Sequence, residues 1–164
     1  VHSMGRISPT DLQSGALIFR QLILGDYVPT PTVIFRTEVF QPWLPILDER
    51  GVTDPDSPDL PLADWAIWLE AAHAGVDAGF VSWPTIRYRI HEKSDSTEFN
   101  KSGRYGNDHL RVWQHWAARG YSPSPDELSQ IQYFLAQIYH SSKQDLLPAL
   151  QALRQYYPPE ILVR

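Results

Sequence analysis

The stretch from Leu60 to Thr97 constrains the fold most, because a helical period in its first part gives way to strand alternation in its second. Apolar residues first recur at helical spacing, and Gly75 follows them, as glycine commonly follows a helix end. These apolar residues are Leu62, Trp65, Ala66, Leu69 and Ala72. From Ile86 to His91 apolar and polar residues then alternate, which is typical of a half-buried strand. The pattern predicts a helix with Asp64 in its first turn and a strand that ends at His91. Polar groups at such element ends can converge on one cleft.

Three blocks in this part of the chain occur in a recognisable order. The first, Tyr27 to Phe40, has small polar residues, a short apolar run, Phe-Arg and a helix start. The second is Asp64-Trp-Ala-Ile-Trp-Leu-Glu70, and the third is Tyr88-Arg-Ile-His91 with serines after it. Together they resemble the C-terminal half of family 2 glycosyltransferases, which typically read Glu-Asp-Trp-Asp-Leu-Trp-Leu-Arg and later Tyr-Arg-x-His. The resemblance covers roughly residues 20 to 97.

The resemblance implies a fold and a reaction. The implied fold is α/β, a partial GT-A-like domain over residues 1–100, equivalent to the C-terminal half of a nucleotide-diphospho-sugar transferase, with an α-helical extension over residues 101–164. The implied reaction is inverting transfer of a sugar from a nucleotide-sugar donor to a hydroxyl of a saccharide or lipid-linked acceptor. The nucleotide-binding N-terminal half of that fold has no counterpart here. The chain is therefore expected to be a piece of a larger enzyme, inactive in isolation.

The resemblance also implies roles for individual residues. The Asp of the family's Glu-Asp pair is the base that takes the acceptor proton, and Asp64 matches it. His91 matches the histidine near the diphosphate, which in some members binds the divalent metal, Mn²⁺ or Mg²⁺. Arg87 and Arg89 flank His91 and are positioned to support a phosphate. Trp65 is the candidate for sugar stacking.

Each of these residues has a plainer interpretation. Asp64 is a residue type that helix starts prefer, and His91 fits a surface histidine at a strand end. Arg87 and Arg89 fit a solvated strand face, and Trp65 fits a core position. An Asp54-Pro-Asp56 sequence matches the family's Asp-x-Asp metal motif, but proline and aspartate dominate residues 51–61, which favours a solvated turn.

The sequence also departs from the family pattern. Ala63 replaces the Glu before the catalytic Asp, Ala66 replaces an acidic residue, and Glu70 stands where Arg is common. These departures keep a second function open, a non-catalytic protein- or sugar-binding domain derived from a glycosyltransferase. Its docking surface would be the C-terminal helices, which are rich in Trp and Tyr.

Composition narrows the class of protein. The formal charge of −5 argues against a nucleic-acid partner, and no apolar run approaches a membrane span. There are no cysteines, which fits a cytoplasmic protein.

Helix signals elsewhere complete the predicted organisation. Ser8-Pro9 predicts the start of the first helix, Val33–Phe35 predicts a short buried strand, and Thr37 predicts a short helix to about Trp43. The predicted C-terminal helices start at Asn107 or Asp108, at the capping box Ser124-Pro-Asp-Glu127, and near Gln144.

Overall fold

A computed structural model describes residues 12–25, 28, 30–43, 62–79, 87 and 104–157. This part of the chain is mostly helical. Its elements are β1 (Leu12–Gln13), α1 (Gly15–Leu22), α2 (Thr37–Phe40), α3 (Ala63–His73), β2 (Ala78–Gly79), α4 (Arg104–Ala118), α5 (Pro125–Ser142) and α6 (Leu147–Tyr156). Short 3-10 turns lie at Thr30–Thr32 and Gln41–Trp43. Among these described helices, none is long and apolar enough to cross a membrane.

The sheet in the described ranges is a single antiparallel pair, in which Leu12 lies opposite Gly79 and Gln13 lies opposite Ala78. A sheet this small does not support the predicted GT-A-like α/β fold. The strand predicted at Val33–Phe35 is wrong, because these residues lack regular structure and the Ile34 side chain is 97% exposed. Of the second predicted strand, Arg87 alone is described, and the predicted loop at 51–61 lies outside the described residues.

Helices α1 and α3 pack as an antiparallel pair whose close approach depends on Gly15. A Cβ atom at this position would lie 2.6 Å from the carbonyl oxygen of Ala72 and 2.7 Å from the backbone of Gly75. The Gly15 N–H also donates to Oδ1 of Asp77, at 3.2 Å. Ser14 is the N-cap of α1, and its hydroxyl accepts the Leu17 N–H. Ser8, the predicted start of the first helix, lies outside the described residues.

Helix α4 runs through the centre of the described helices. The indole Nε1 of Trp113 donates to the Ile23 carbonyl, at the end of α1. The side chain of Asn107 accepts a hydrogen bond from the Tyr139 hydroxyl of α5 at 2.7 Å. The Tyr157 hydroxyl, after α6, donates to the Trp113 carbonyl at 3.3 Å. Residues on both sides of position 100 therefore share one hydrophobic core. The predicted domain division at residue 100 stays a prediction, and the core crosses it.

The start of α5 confirms the predicted capping box and joins it to α1. The Ser124 hydroxyl accepts the Glu127 N–H, and Oε2 of Glu127 accepts the Ser124 N–H at 2.8 Å. Arg20, in the last turn of α1, donates to both carboxylate oxygens of Glu127, at 3.0 and 2.7 Å. The Glu127 carboxylate therefore caps α5 and also forms an ion pair with Arg20 of α1.

The Gly15 contact predicts that Gly15→Ala lowers the free energy of unfolding by about 1–3 kcal/mol, because the added methyl group meets backbone atoms that cannot rotate away. Urea denaturation measures the change. Gly79→Ala is the control, since the nearest atom to its new methyl group lies at 3.5 Å. A Gly15→Ala variant as stable as the wild type would contradict the close packing of α1 on α3.

Candidate functional site

Asp64 lies in the first turn of α3, as predicted, and is half buried. Its Oδ1 accepts the backbone N–H of Trp65 at 2.9 Å. This hydrogen bond holds the carboxylate close to the helix start. The base expected from the resemblance thus sits at the end of a regular element that is anchored in the core.

The residue that leads into α3 has a strained backbone. Leu62 adopts the left-handed conformation, with φ 54° and ψ 58°. This conformation costs an L-residue with a large side chain about 1–2 kcal/mol. The Leu62 side chain is half buried against the core, a contact that helps to hold the strain. Strained residues concentrate at functional sites, and this one lies two positions before Asp64.

Trp65, the candidate for sugar stacking, lies in the core instead. Its side chain is 0% exposed, and its indole Nε1 donates to the Leu22 carbonyl at 2.8 Å. The His109 ring lies 4.7 Å from the indole, and Trp113 meets it edge to face at 6.0 Å. With the ring enclosed in this way, the indole presents no face to a ligand, and the plainer interpretation of Trp65 as a core residue fits its surroundings.

The other candidate residues are not brought together with Asp64 by the described part of the structure. Arg87 is exposed, whereas Arg89 and His91 lie outside the described residues. Within the described ranges no group of three or more His, Asp or Glu side chains is placed to hold a metal ion. These residues therefore do not supply the expected Mn²⁺ or Mg²⁺ site, and the convergence of Asp64 and His91 stays a prediction.

A buried histidine that the motifs did not indicate lies next to Trp65. The ring of His109 is 0% exposed and is surrounded by Trp65, Tyr105, Trp113 and Phe134. Its Nδ1 donates to the Tyr105 carbonyl at 2.8 Å, while Nε2 has no hydrogen-bond partner among the described residues. Burial lowers the pKa of His109 from 6.5 to about 4, against the opposing effect of the Tyr105 hydrogen bond. His109 is therefore a neutral core residue at pH 7.

The far end of α3 carries a second polar cluster. Glu70 accepts a hydrogen bond from Arg119 and lies 3.6 Å from Nε2 of His115. Burial by itself raises the pKa of Glu70, but hydrogen bonds and charges from His115 and Arg119 outweigh burial, and the net effect lowers it. The Arg119 guanidinium also stacks on the Trp116 ring, 4.2 Å from its centre.

An open cleft of about 350 Å³ lies beside this cluster. Its lining residues come from α1, α3, α4 and the turn after α4: Phe19, Arg20, His73, Trp116, Arg119, Gly120, Tyr121 and Ser122. Both arginines in this lining already pair with carboxylates, Arg20 with Glu127 and Arg119 with Glu70. Of the five residues implied by the resemblance, the three that the structure describes, Asp64, Trp65 and Arg87, are not among the lining residues, so the cleft gives the expected site no support.

The buried His109 predicts a specific pH dependence of stability. Between pH 6.5 and pH 4 the unfolded chain binds a proton at this residue and the folded chain does not, so stability rises with pH across this window and is lost as pH falls. Compared with His109→Gln, the wild type should lose roughly 3 kcal/mol more of its unfolding free energy on going from pH 6.5 to pH 4. Urea titrations at several pH values measure this difference.

His140→Gln is the matched control, because His140 is exposed on α5. This variant should keep the wild-type decline in stability. Equal declines in the wild type and in His109→Gln would show that His109 is protonated in the folded chain.

Comparison with family models, with curated proteins and with solved structures yields no match to this chain.

Proposed function

We propose that this chain is part of an inverting glycosyltransferase of family 2 type, with Asp64 as the base that activates the acceptor hydroxyl. The position of Asp64 carries the proposal. It lies in the first turn of α3, follows the strained Leu62 by two residues, and begins the block Asp64–Glu70 that resembles the family. The proposal includes a GT-A-like α/β fold for the whole enzyme, to which the described helices contribute the acceptor side and the extension.

The proposed reaction needs one proton acceptor at the attacking hydroxyl. The acceptor oxygen forms a bond to the anomeric carbon, the bond from that carbon to the nucleoside diphosphate breaks, and the diphosphate leaves with the electron pair. A carboxylate within hydrogen-bond reach of the hydroxyl takes the proton as the new bond forms. The Trp65 N–H fixes one oxygen of Asp64, which restricts the carboxylate to a small range of orientations.

The remaining parts of the proposed site rest on the resemblance alone. A divalent ion, Mn²⁺ or Mg²⁺, would neutralise the departing diphosphate. His91 is its proposed ligand, and Arg87 and Arg89 are proposed to contact the donor phosphates. The described residues hold no cluster for the ion, so we assign it no step.

The structure removes part of the reason for the alternative function, a non-catalytic binding domain. It rested on the Trp and Tyr content of the C-terminal helices. Trp113 and Trp116 are buried and pack against α1 and α3, so the aromatic content of α4 is explained by the core. Tyr133 and Tyr156 are exposed, but they lie on different helices.

The proposal predicts that Asp64→Asn lowers turnover about 10²–10⁴-fold, because an amide cannot take the acceptor proton. The assay uses the native polypeptide that carries this sequence, a panel of nucleoside-diphosphate sugars and Mn²⁺. Release of the nucleoside diphosphate measures the turnover.

Asp126→Asn is the matched control, because Asp126 also lies in the first turn of a helix and is exposed. This variant removes the same kind of helix-end charge without touching the proposed site, and it should retain full activity. Undiminished turnover by Asp64→Asn, with unchanged circular dichroism, would rule out Asp64 as the base.

A further inference from the structure

We infer that Trp65 is a positioning residue for Asp64. Its indole N–H binds α1, and its backbone N–H binds the Asp64 carboxylate. This inference rests on the proposed function. The indole Nε1 of Trp65 donates to the Leu22 carbonyl at the end of α1, at 2.8 Å. The backbone N–H of the same residue donates to Oδ1 of Asp64, at 2.9 Å. Trp65 therefore links the carboxylate directly to the core.

The indole end of this link is rigid. The Trp65 side chain is fully buried and packs against the rings of His109 and Trp113. The carbonyl that it binds belongs to Leu22, the last residue of α1, and also accepts the Gly25 N–H at 3.2 Å. This hydrogen bond fixes the first turn of α3 relative to α1.

The strained residue before the helix supports the same conclusion. Leu62 retains a left-handed backbone although this conformation is unfavourable for leucine. Such strain persists where the surrounding structure over-determines the backbone conformation. On the helical side the anchor is the Trp65 indole, since a first turn free to shift would let Leu62 relax. Asp64 lies between the strained residue and the anchor.

The structure contains a matched reference for this role. Trp113 is equally buried, and its indole Nε1 donates to the carbonyl of Ile23, the residue after Leu22, at 2.7 Å. Loss of either N–H removes an indole hydrogen bond from a carbonyl at the end of α1, where the Leu22 carbonyl keeps its bond from the Gly25 N–H. Trp65 directly follows Asp64, whereas Trp113 lies on α4. Loss of either indole N–H should therefore lower stability, and only the loss at Trp65 should affect Asp64.

The first test is a pH titration of the ¹⁵N-labelled chain by NMR, which needs no substrate. The amide proton of residue 65 should shift as Asp64 titrates, and this step should vanish in Asp64→Asn. In Trp65→Phe this pH-dependent change in the chemical shift of the residue-65 amide proton should become smaller, because the carboxylate is no longer held against the amide. In Trp113→Phe the amplitude of this change should stay at the wild-type size.

Two results would overturn the inference: a full amplitude in Trp65→Phe, or an equal loss in Trp113→Phe. If either phenylalanine variant does not fold, 3-benzothienylalanine at the same position keeps the shape of the indole and removes only the N–H. The same comparison of amplitudes then decides the question.

The second test measures turnover in the native polypeptide with the nucleoside-diphosphate sugar panel. Trp65→Phe should lower kcat about ten- to a hundredfold with little change in KM for the donor, and Trp113→Phe should stay near the wild type. If Asp64→Asn inactivates and the two tryptophan variants behave alike, the positioning role fails and the proposed function stands. If Asp64→Asn remains active, the proposed function fails. The NMR titration amplitudes then decide by themselves whether Trp65 orients the carboxylate.

Discussion

Two indole N–H groups on consecutive carbonyls hold the described helices together. Trp65 of α3 donates to the Leu22 carbonyl and Trp113 of α4 donates to the Ile23 carbonyl. A helix leaves its last carbonyls without partners inside the helix, and burial makes unpaired carbonyls costly. The Trp113 indole supplies a donor for the Ile23 carbonyl, and the Trp65 indole adds a second donor to the Leu22 carbonyl, which also accepts the Gly25 N–H. The two indoles thus fix α3 and α4 at the same point. The position of Asp64 follows from this junction, since the next residue in the chain is one of the two donors.

The other contacts extend this junction. At the opposite end of α1, Gly15 allows the backbone to approach α3 closely, and the β1–β2 pair closes the same end. Arg20 joins α1 to the start of α5 through Glu127. His109 fills the space beside Trp65 and stays neutral there, because burial lowers its pKa. The helix that carries the proposed base is thus held along its length, as a site that must orient a carboxylate requires.

Local sequence patterns predicted the helix starts that depend on interactions between neighbouring residues. The helical spacing from Leu62 to Ala72 placed α3 to within one residue of its observed start, and the capping box at Ser124 gave the start of α5. Both signals depend on residues within a few positions of each other. Tyr105, His109 and Trp113 repeat every four residues on one face of α4, a spacing that could have indicated a core histidine.

Contacts between residues far apart in the chain could not be predicted from local sequence patterns. The first helix was expected to include Leu12, but in the described residues it begins at Gly15, because Leu12 and Gln13 pair with residues more than sixty positions away. Nothing near Trp65 in the sequence shows that its indole reaches a carbonyl 43 residues earlier. The run Val33–Phe35 has strand propensity, but Ile34 is almost fully exposed there. Propensity alone does not place a segment in a sheet.

As the proposed base, Asp64 should lie at the reaction centre of a sugar transfer. A structure of the native polypeptide with a non-hydrolysable nucleoside-diphosphate sugar, Mn²⁺ and an acceptor tests it most directly. We expect a carboxylate oxygen of Asp64 about 2.6–3.2 Å from the attacking hydroxyl, with the Trp65 indole still bonded to the Leu22 carbonyl. An Asp64 carboxylate that contacts neither substrate, in a complex where both are bound, would contradict it.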